Sequence, residues 1–270
     1  MFRKGQPFFF SYFCQMFLTD THTHLYVEEF DTDRYQVVKN AIDAGVKRML
    51  LPNIDSSTLK ALNDISTTFP NNCFPMMGLH PTSVKPDYEK ELAVVEEELA
   101  LHNYCGVGEI GIDLYWDETF REQQTDAFRR QLQWAKKYCL GVSIHTRNAF
   151  ELTYQIVTEE LTEDLKGVFH CFTGSLADAK KVMDVGFKIG IGGIVTFKNS
   201  ALAEVVKQLP LDWIVLETDA PYLTPVPFRG KRNQSAYIKY IAEKVAAIKK
   251  RRVDEVTELT NKSAEEVFSI

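Results

Sequence analysis

With 270 residues, 45% hydrophobic and 25% charged, the chain has ordinary globular composition and is long enough for one large α/β barrel or two small domains. A formal net charge of −6 excludes broad electrostatic adhesion to nucleic acid, so any phosphate recognition must come from a local basic patch or from bound metal. No apolar run approaches the length that spans a bilayer, which argues against membrane insertion.

The cysteines Cys14, Cys73, Cys105, Cys139 and Cys171 are odd in number, scattered and free of any Cys-x-x-Cys pair. That pattern fits reduced thiols in a cytoplasmic protein rather than a disulfide framework or a zinc ribbon. Residues 1–15 form an N-terminal extension unlike the rest. Arg3 and Lys4 precede Phe8-Phe9-Phe10 in the manner of a secretory signal, but Gly5-Gln6-Pro7 interrupts the apolar run and no small-residue cleavage site follows. The sequence is therefore read as beginning naturally at Met16, with one domain over residues 16–270.

Phe17-Leu18-Thr19-Asp20-Thr21-His22-Thr23-His24-Leu25 reads as a first strand. Histidines at i and i+2 on a strand share one face, where both imidazoles can bind a single metal ion. A helix over 31–44 follows, with Asp31 as its N-cap and Gly45 ending it. Val46–Pro52 is a second strand, and Ser56 opens a helix that stops before Pro70. Phe74–Pro81 is a third strand running into a loop, and 87–103 is helical. Gly106–Gly111 is the fourth strand, 118–139 a long helix, Val142–His145 the fifth strand and 148–160 a helix. Gly167–Cys171 is the sixth strand, Ser175–Val185 a helix, and Phe187–Ile191 the seventh strand, before a short helix over 199–208. Trp213–Asp219 is the eighth strand. Helices fill the remainder, the last opened by Thr260 or Ser263.

Eight strands, each followed by a helical segment, are what a (β/α)8 TIM barrel requires. An open doubly wound sheet uses the same alternation, but eight units within a single-domain length favour the barrel. In a barrel enzyme the chemistry lies at the C-terminal ends of the strands. Those ends carry His22, His24, His80, Glu109, His145, His170, Glu217 and Asp219. Of the six histidines only His102, in the last turn of a helix, falls elsewhere. Taken singly, each is more often a hydrogen-bonded structural residue. One mouth collecting five imidazoles and several carboxylates has little structural rationale, because buried polar groups are costly unless paired or coordinated. Nitrogen and oxygen donors without cysteine suit a catalytic zinc, manganese, iron or magnesium site better than a structural zinc. Cys171 adjoins His170, but strand alternation points it to the opposite face.

These residues carry a resemblance. Thr19-Asp20-Thr21-His22-Thr23-His24-Leu25, Gly78-Leu79-His80-Pro81, Gly108-Glu109-Ile110-Gly111-Ile112-Asp113, Ile144-His145-Thr146-Arg147, His170-Cys171-Phe172-Thr173-Gly174 and Leu216-Glu217-Thr218-Asp219-Ala220-Pro221-Tyr222-Leu223 run in order from Phe17 to near the C-terminus. The sequence resembles the TatD-type metal-dependent deoxyribonucleases of the amidohydrolase-like metallohydrolase superfamily. The resemblance implies two divalent metal ions (Mg²⁺, Mn²⁺ or Zn²⁺), with Glu109 bridging both, His22, His24 and Asp219 completing one site, and His145 and His170 the other. Strand order agrees with this division, since strands four to six are neighbours and strands one and eight meet once a barrel closes. The family commonly reads Arg-Gly-Lys-x-Asn-Glu-Pro after strand eight. This chain reads Arg229-Gly230-Lys231-Arg232-Asn233-Gln234-Ser235, which keeps the basic loop and replaces the Glu-Pro pair.

The activity so implied is hydrolysis of phosphodiester bonds in DNA, as a 3′–5′ exonuclease on single strands or 3′ ends, with no obligate protein partner. Asp219 and Glu109 are the expected catalytic residues, Asp219 binding metal and orienting or deprotonating the attacking water. Glu217, two residues before Asp219, shares its face as a metal ligand or a supporting group. His80 is a candidate donor to phosphate or to a metal ligand, and Arg147, Arg229, Lys231 and Arg232 are candidate phosphate contacts. For the 229–232 cluster, a solvated basic loop is the competing reading. Two alternatives stand beside the nuclease. One is hydrolysis of a small amide, lactone or carboxylic ester by the same chemistry. The other is a metal-binding relative without turnover.

Overall fold

The computed structural model describes residues 17–270; the expectations for residues 1–15 and for a start at Met16 lie outside the described residues. Eight parallel strands alternate with helices, as the sequence pattern requires. They are β1 (Leu18–Asp20), β2 (Val46–Pro52), β3 (Cys73–Met76), β4 (Val107–Asp113), β5 (Val142–Arg147), β6 (Gly167–Phe169), β7 (Lys188–Ile191) and β8 (Ile214–Leu216). The intervening helices are α1 (Arg34–Asp43), α2 (Leu59–Thr68), α3 (Tyr88–Leu101), α4 (Arg121–Tyr138), α5 (Phe150–Glu160), α6 (Leu176–Asp184) and α7 (Leu202–Gln208). Two more, α8 (Ile238–Lys249) and α9 (Val253–Val267), follow β8.

The strands hydrogen-bond in two runs, β1-β2-β3 and β4-β5-β6-β7-β8. Backbone bonds join the runs at both seams. Met77 pairs with Val107 beyond the end of β3. Asn53 reaches past it, donating to Gly108 at 2.9 Å and accepting from the Glu109 amide at 3.0 Å. At the other seam Thr21 donates to Leu216 at 3.0 Å and Asp219 to His22 at 2.9 Å. The result is a TIM barrel whose last strand is tied to its first.

Alternation along the strands carries a packed interior up to a polar mouth. Leu50, Met76, Val168 and Val215 form one buried cluster with Val267 and Phe268 from the end of α9, which plugs the N-terminal end of the barrel. Two residues beyond Val168 comes His170, and two beyond Val215 comes Glu217, as the period of two demands. The helical shell packs on the other strand face, where Phe169 meets Phe187 edge to face at 5.9 Å.

Several boundaries differ from the sequence reading. The helix expected over 31–44 begins at Arg34, because Glu28–Phe30 forms a 3-10 turn and Asp31 binds the Arg34 guanidinium at 2.7 Å instead of capping. Ser56 does not open α2; it bonds Glu91 on α3. The last helix starts at Val253. Thr260 and Ser263 are buried within it, with Thr260 bonding the Val256 carbonyl and Ser263 the Asp212 carbonyl. Ser175, by contrast, caps α6 with a full capping box shared with Asp178.

Candidate metal centre

β1 ends at Asp20, so His22 and His24 lie in its extended continuation rather than in the strand itself. Past Asp20 the chain crosses between its two neighbours. Thr21 donates to Leu216, Thr23 to Leu50 at 3.1 Å, and His24 to Ala220 at 2.8 Å. This fixes the backbone while both imidazoles face the barrel axis. His22 Nδ1 lies 2.9 Å from Ser143 Oγ, and His24 Nδ1 lies 3.0 Å from Tyr26 Oη. The two Nε2 atoms are thereby aimed at a common centre, 3.1 Å from each other. Fixing one ring nitrogen to present the other is how proteins prepare imidazole ligands.

The Glu109 carboxylate occupies that centre. Oε2 is 3.0 Å from His22 Nε2 and 3.4 Å from His24 Nε2. Oε1 is 2.9 Å from His145 Nδ1, 3.0 Å from His170 Nε2 and 3.3 Å from His80 Nε2. Five imidazoles therefore surround one carboxylate. Asp219 Oδ1 approaches His24 Nε2 at 3.6 Å and His22 Nε2 at 4.0 Å. Its backbone is left-handed, with φ 57°, a conformation that Asp tolerates better than most residues. His22/His24/Asp219, His22/Glu109/His170 and His80/Glu109/His145 each bring three donor atoms close enough to share an ion.

These residues fit a divalent cation. The His22 and His170 rings stack at 3.7 Å, and His170 Nδ1 and Glu217 Oε2 are buried without a hydrogen-bond partner. Lone pairs so crowded and so buried need a shared positive charge. The carboxylates and imidazoles also shift one another's titration. Burial, reinforced by His170, lowers His22 to about 4. Burial also lowers His24, but its bonds to Asp219 and Glu109 outweigh it and raise His24 to about 9. His170 is likewise raised well above its usual value, because Glu109 and Glu217 override its burial. Burial alone would raise Glu109, yet His80, His170 and His22 hold it well below the usual carboxylate range. Protons are thus drawn to His24 and His170 beside the carboxylates, and a metal ion binding these nitrogens would displace them.

Supporting residues complete the arrangement. Asp113, the last residue of β4, is a supporting residue that the sequence reading does not single out. Its Oδ2 lies 2.9 Å from His145 Nε2 while its Oδ1 accepts from the Tyr115 amide at 2.9 Å. Ser143, Tyr26 and Asp113 could each have been found from spacing. Ser143 stands two residues before His145 and Tyr26 two after His24, so alternation places them with the histidines; Asp113 stands four after Glu109 on the same strand. Asp113→Asn keeps the shape and the Tyr115 bond but removes the charge facing His145. Metal affinity should fall about 10–100-fold, the usual cost of losing such a partner. Competition against a chelating dye reads this directly, and unchanged affinity would exclude the role.

Glu217 is fully buried behind His170, with Oε1 3.5 Å from His170 Nδ1 and also accepting from the Cys171 amide. The space for it comes from β7, since a Cβ on Gly190 would lie 2.3 Å from Glu217 Oε2. Gly190→Ala should therefore cost about 1–3 kcal/mol by overpacking, seen as a lower Tm, and a Tm equal to that of the parent would contradict this packing. Cys171 does not point away as alternation implied. β6 stops at Phe169, and a left-handed φ of 47° at Cys171 turns it into the cleft wall.

The mouth opens as a cleft of about 600 Å³ lined by His24, Glu109, His145, His170 and Asp219, with His80 and Arg147 also on its wall. Of the basic candidates, only Arg147 reaches this cleft. Arg229 stacks on Phe197 at 3.6 Å, and Lys231 lies over Phe228 at 5.7 Å. Arg232 is engaged with Asp33 through both terminal nitrogens and lies over Phe30, which ties the loop to the start of α1. In that loop Asn233 donates to the Thr218 and Tyr222 carbonyls, and Ser235, in place of the family's Pro, is buried beside Thr23 at 3.2 Å. A hollow of about 820 Å³ at the N-terminal end of the barrel, lined by Lys207, Lys249 and Arg251 among others, holds none of the histidines. His102 is exposed, 3.9 Å from Glu98.

A histidine–carboxylate cluster buried at the C-terminal mouth of a TIM barrel defines a metal-dependent hydrolase. Residues 19–269 match the family model described as "TatD related DNase", and the chain belongs to that family. It is 37% identical over 254 residues to YabD of Bacillus subtilis, named as an uncharacterized metal-dependent hydrolase, covering 94% of this chain and 99% of the relative. It is 30% identical over 248 residues to the 3′–5′ ssDNA/RNA exonuclease TatD of a Rahnella species, covering 90% of this chain and 94% of the relative. Among solved structures, the TatD homologue YjjV of Escherichia coli superposes with a TM-score of 0.88 at 26% identity, covering 94% and 98% of the two chains. Among the described residues no helix is long and apolar enough to cross a membrane.

Proposed function

We propose that this hydrolase cleaves phosphodiester bonds at the ends of DNA, as a 3′–5′ exonuclease using two divalent ions held by the Glu109 cluster. The observation that carries the reading is the single carboxylate of Glu109 in contact with five imidazoles, with Asp219 beside them. Its two oxygens face different histidines, so it can bridge two ions, with His22, His24 and Asp219 on one side and His145 and His170 on the other. His80 also faces Glu109 and His145 and is available to either an ion or a phosphoryl oxygen.

When bound, divalent ions supply Lewis-acid charge to phosphoryl oxygens and lower the pKa of a water in the cleft. The chain supplies the rest. Burial alone would raise Asp219, but His24, His170 and His22 keep it below the usual carboxylate range. It is therefore an anion at neutral pH, able to bind a metal ion and to orient the attacking water. Glu217 holds the His170 ring from behind, and Asp113 does the same for His145. Arg147, at the rim, can take a phosphate oxygen.

The same chemistry also serves carbonyl centres. The exonuclease named among the relatives and an arginine beside the cleft that has no ion-pair partner among the described residues support phosphodiester over amide or lactone. End-labelled single-stranded DNA is the deciding substrate, with Mg²⁺, Mn²⁺ or Zn²⁺ supplied and Glu109→Ala as control. Stepwise, metal-dependent nucleotide release from the 3′ end is expected. No release above the control, together with turnover of a lactone or acylated amino acid, would transfer the assignment to the carbonyl hydrolases.

A further inference from the structure

Beside the metal centre, the loop after β4 presents aromatic surface to solvent. Trp116 is 72% exposed although it lines the same cleft as Glu109 and Asp219. On the β8 side of that cleft stands Tyr222, 48% exposed, its ring 6.5 Å from that of His24. Large aromatic rings left in water at a cleft mouth forgo the burial that ordinarily places them in a core.

The Trp116 surface is also held in place. Tyr115 meets Trp116 edge to face at 4.7 Å. The Arg147 guanidinium lies 3.8 Å above the Tyr115 ring and 5.2 Å from that of Trp116. The loop is anchored by the Asp113 carboxylate, whose other oxygen holds His145. One short segment therefore sets both a metal-centre histidine and the orientation of the aromatic pair. Arg147 is stacked rather than ion-paired among the described residues, which leaves its N–H edge free for an anion.

We infer that Tyr115, Trp116 and Arg147 form a stacking platform that receives an unpaired nucleobase, Arg147 taking the adjoining phosphate, with Tyr222 as a second contact across the cleft. This deepens the phosphodiesterase reading and rests on it. Every base has a π-face, so such a platform tolerates any sequence but demands that the base be out of a duplex. The substrate class it selects is a single-stranded or frayed end. An acidic chain needs such a contact, since its net charge gives no general attraction for the backbone.

Binding and hydrolysis should be measured separately. Fluorescence anisotropy with the metal-loaded full chain and a labelled, phosphorothioate-linked single strand gives Kd without turnover. Trp116→Ala should weaken binding on the order of tenfold, the usual scale for losing one stacked base, and Trp116→Phe should restore most of it. With a strand whose terminal nucleotides are abasic, wild type and Trp116→Ala should bind alike. Equal Kd for wild type and Trp116→Ala on the base-bearing strand overturns the platform, as does a loss that persists undiminished on the abasic strand. Release of nucleotides from an unmodified strand with no Trp116 dependence in binding removes the platform alone. Trp116-dependent, base-dependent binding without release sustains the platform and removes the nuclease reading instead.

Discussion

Glu109→Ala should lose roughly a thousand-fold or more in hydrolytic rate, the consequence of removing several kcal/mol of metal-derived charge stabilisation. The expectation follows from position. This side chain touches all five imidazoles of the cluster, so its loss leaves His24 with only Asp219 and His170 with only Glu217 and leaves two prospective ions without a common ligand. Glu109→Gln serves as the companion, keeping the shape while removing the charge. Circular dichroism and Tm separate loss of chemistry from loss of fold, and elemental analysis reports the bound metal. A well-folded Glu109→Gln protein with full metal content and near-parental rate would show that Glu109 is not the bridge.

His22 and His24 should behave differently from Glu109. In the proposed centre they would hold metal and need no proton-transfer role, because Ser143 and Tyr26 already engage their Nδ1 atoms. The double replacement His22→Ala/His24→Ala should deplete one metal first and lose activity as a consequence, with affinity at that position falling by more than the roughly 10–100-fold cost of losing an outer partner. The ion held by His145 and His170 should remain. If the double variant keeps two tightly bound metals, the division of ligands proposed here is wrong.

Much of this was visible in the sequence because the strands of a barrel carry a strict period of two. Polar residues clustered at the ends of apolar runs marked the mouth, and His22, His24, Glu109, His145 and His170 converge there. Strand ends were less legible, because they depend on partners distant in sequence. The chain at Thr21 switches its hydrogen bonding from β2 to β8, a tertiary event with no local signature. Cys171 escaped alternation through a left-handed backbone. Arg232 looks like a phosphate contact in sequence but is paired with Asp33, just before α1, which only packing reveals. The C-terminal helix was misplaced because Thr260 and Ser263 resemble caps, whereas the useful signal was the acidic first turn at Asp254 and Glu255. The exposure of Trp116 has no local signature, since it cannot be read from its neighbours.

Hydrolysis is proposed to depend on the cluster around Glu109 as its metal centre. This dependence is tested most directly by titrating metal into chelator-stripped protein and measuring, in the same samples, bound metal per chain and the rate of nucleotide release from end-labelled single-stranded DNA. The rate should rise with occupancy, saturate at two ions per chain, and vanish together with the tight sites in Glu109→Ala. Full activity in stripped protein, or two tight ions retained by an inactive Glu109→Ala variant, would contradict it.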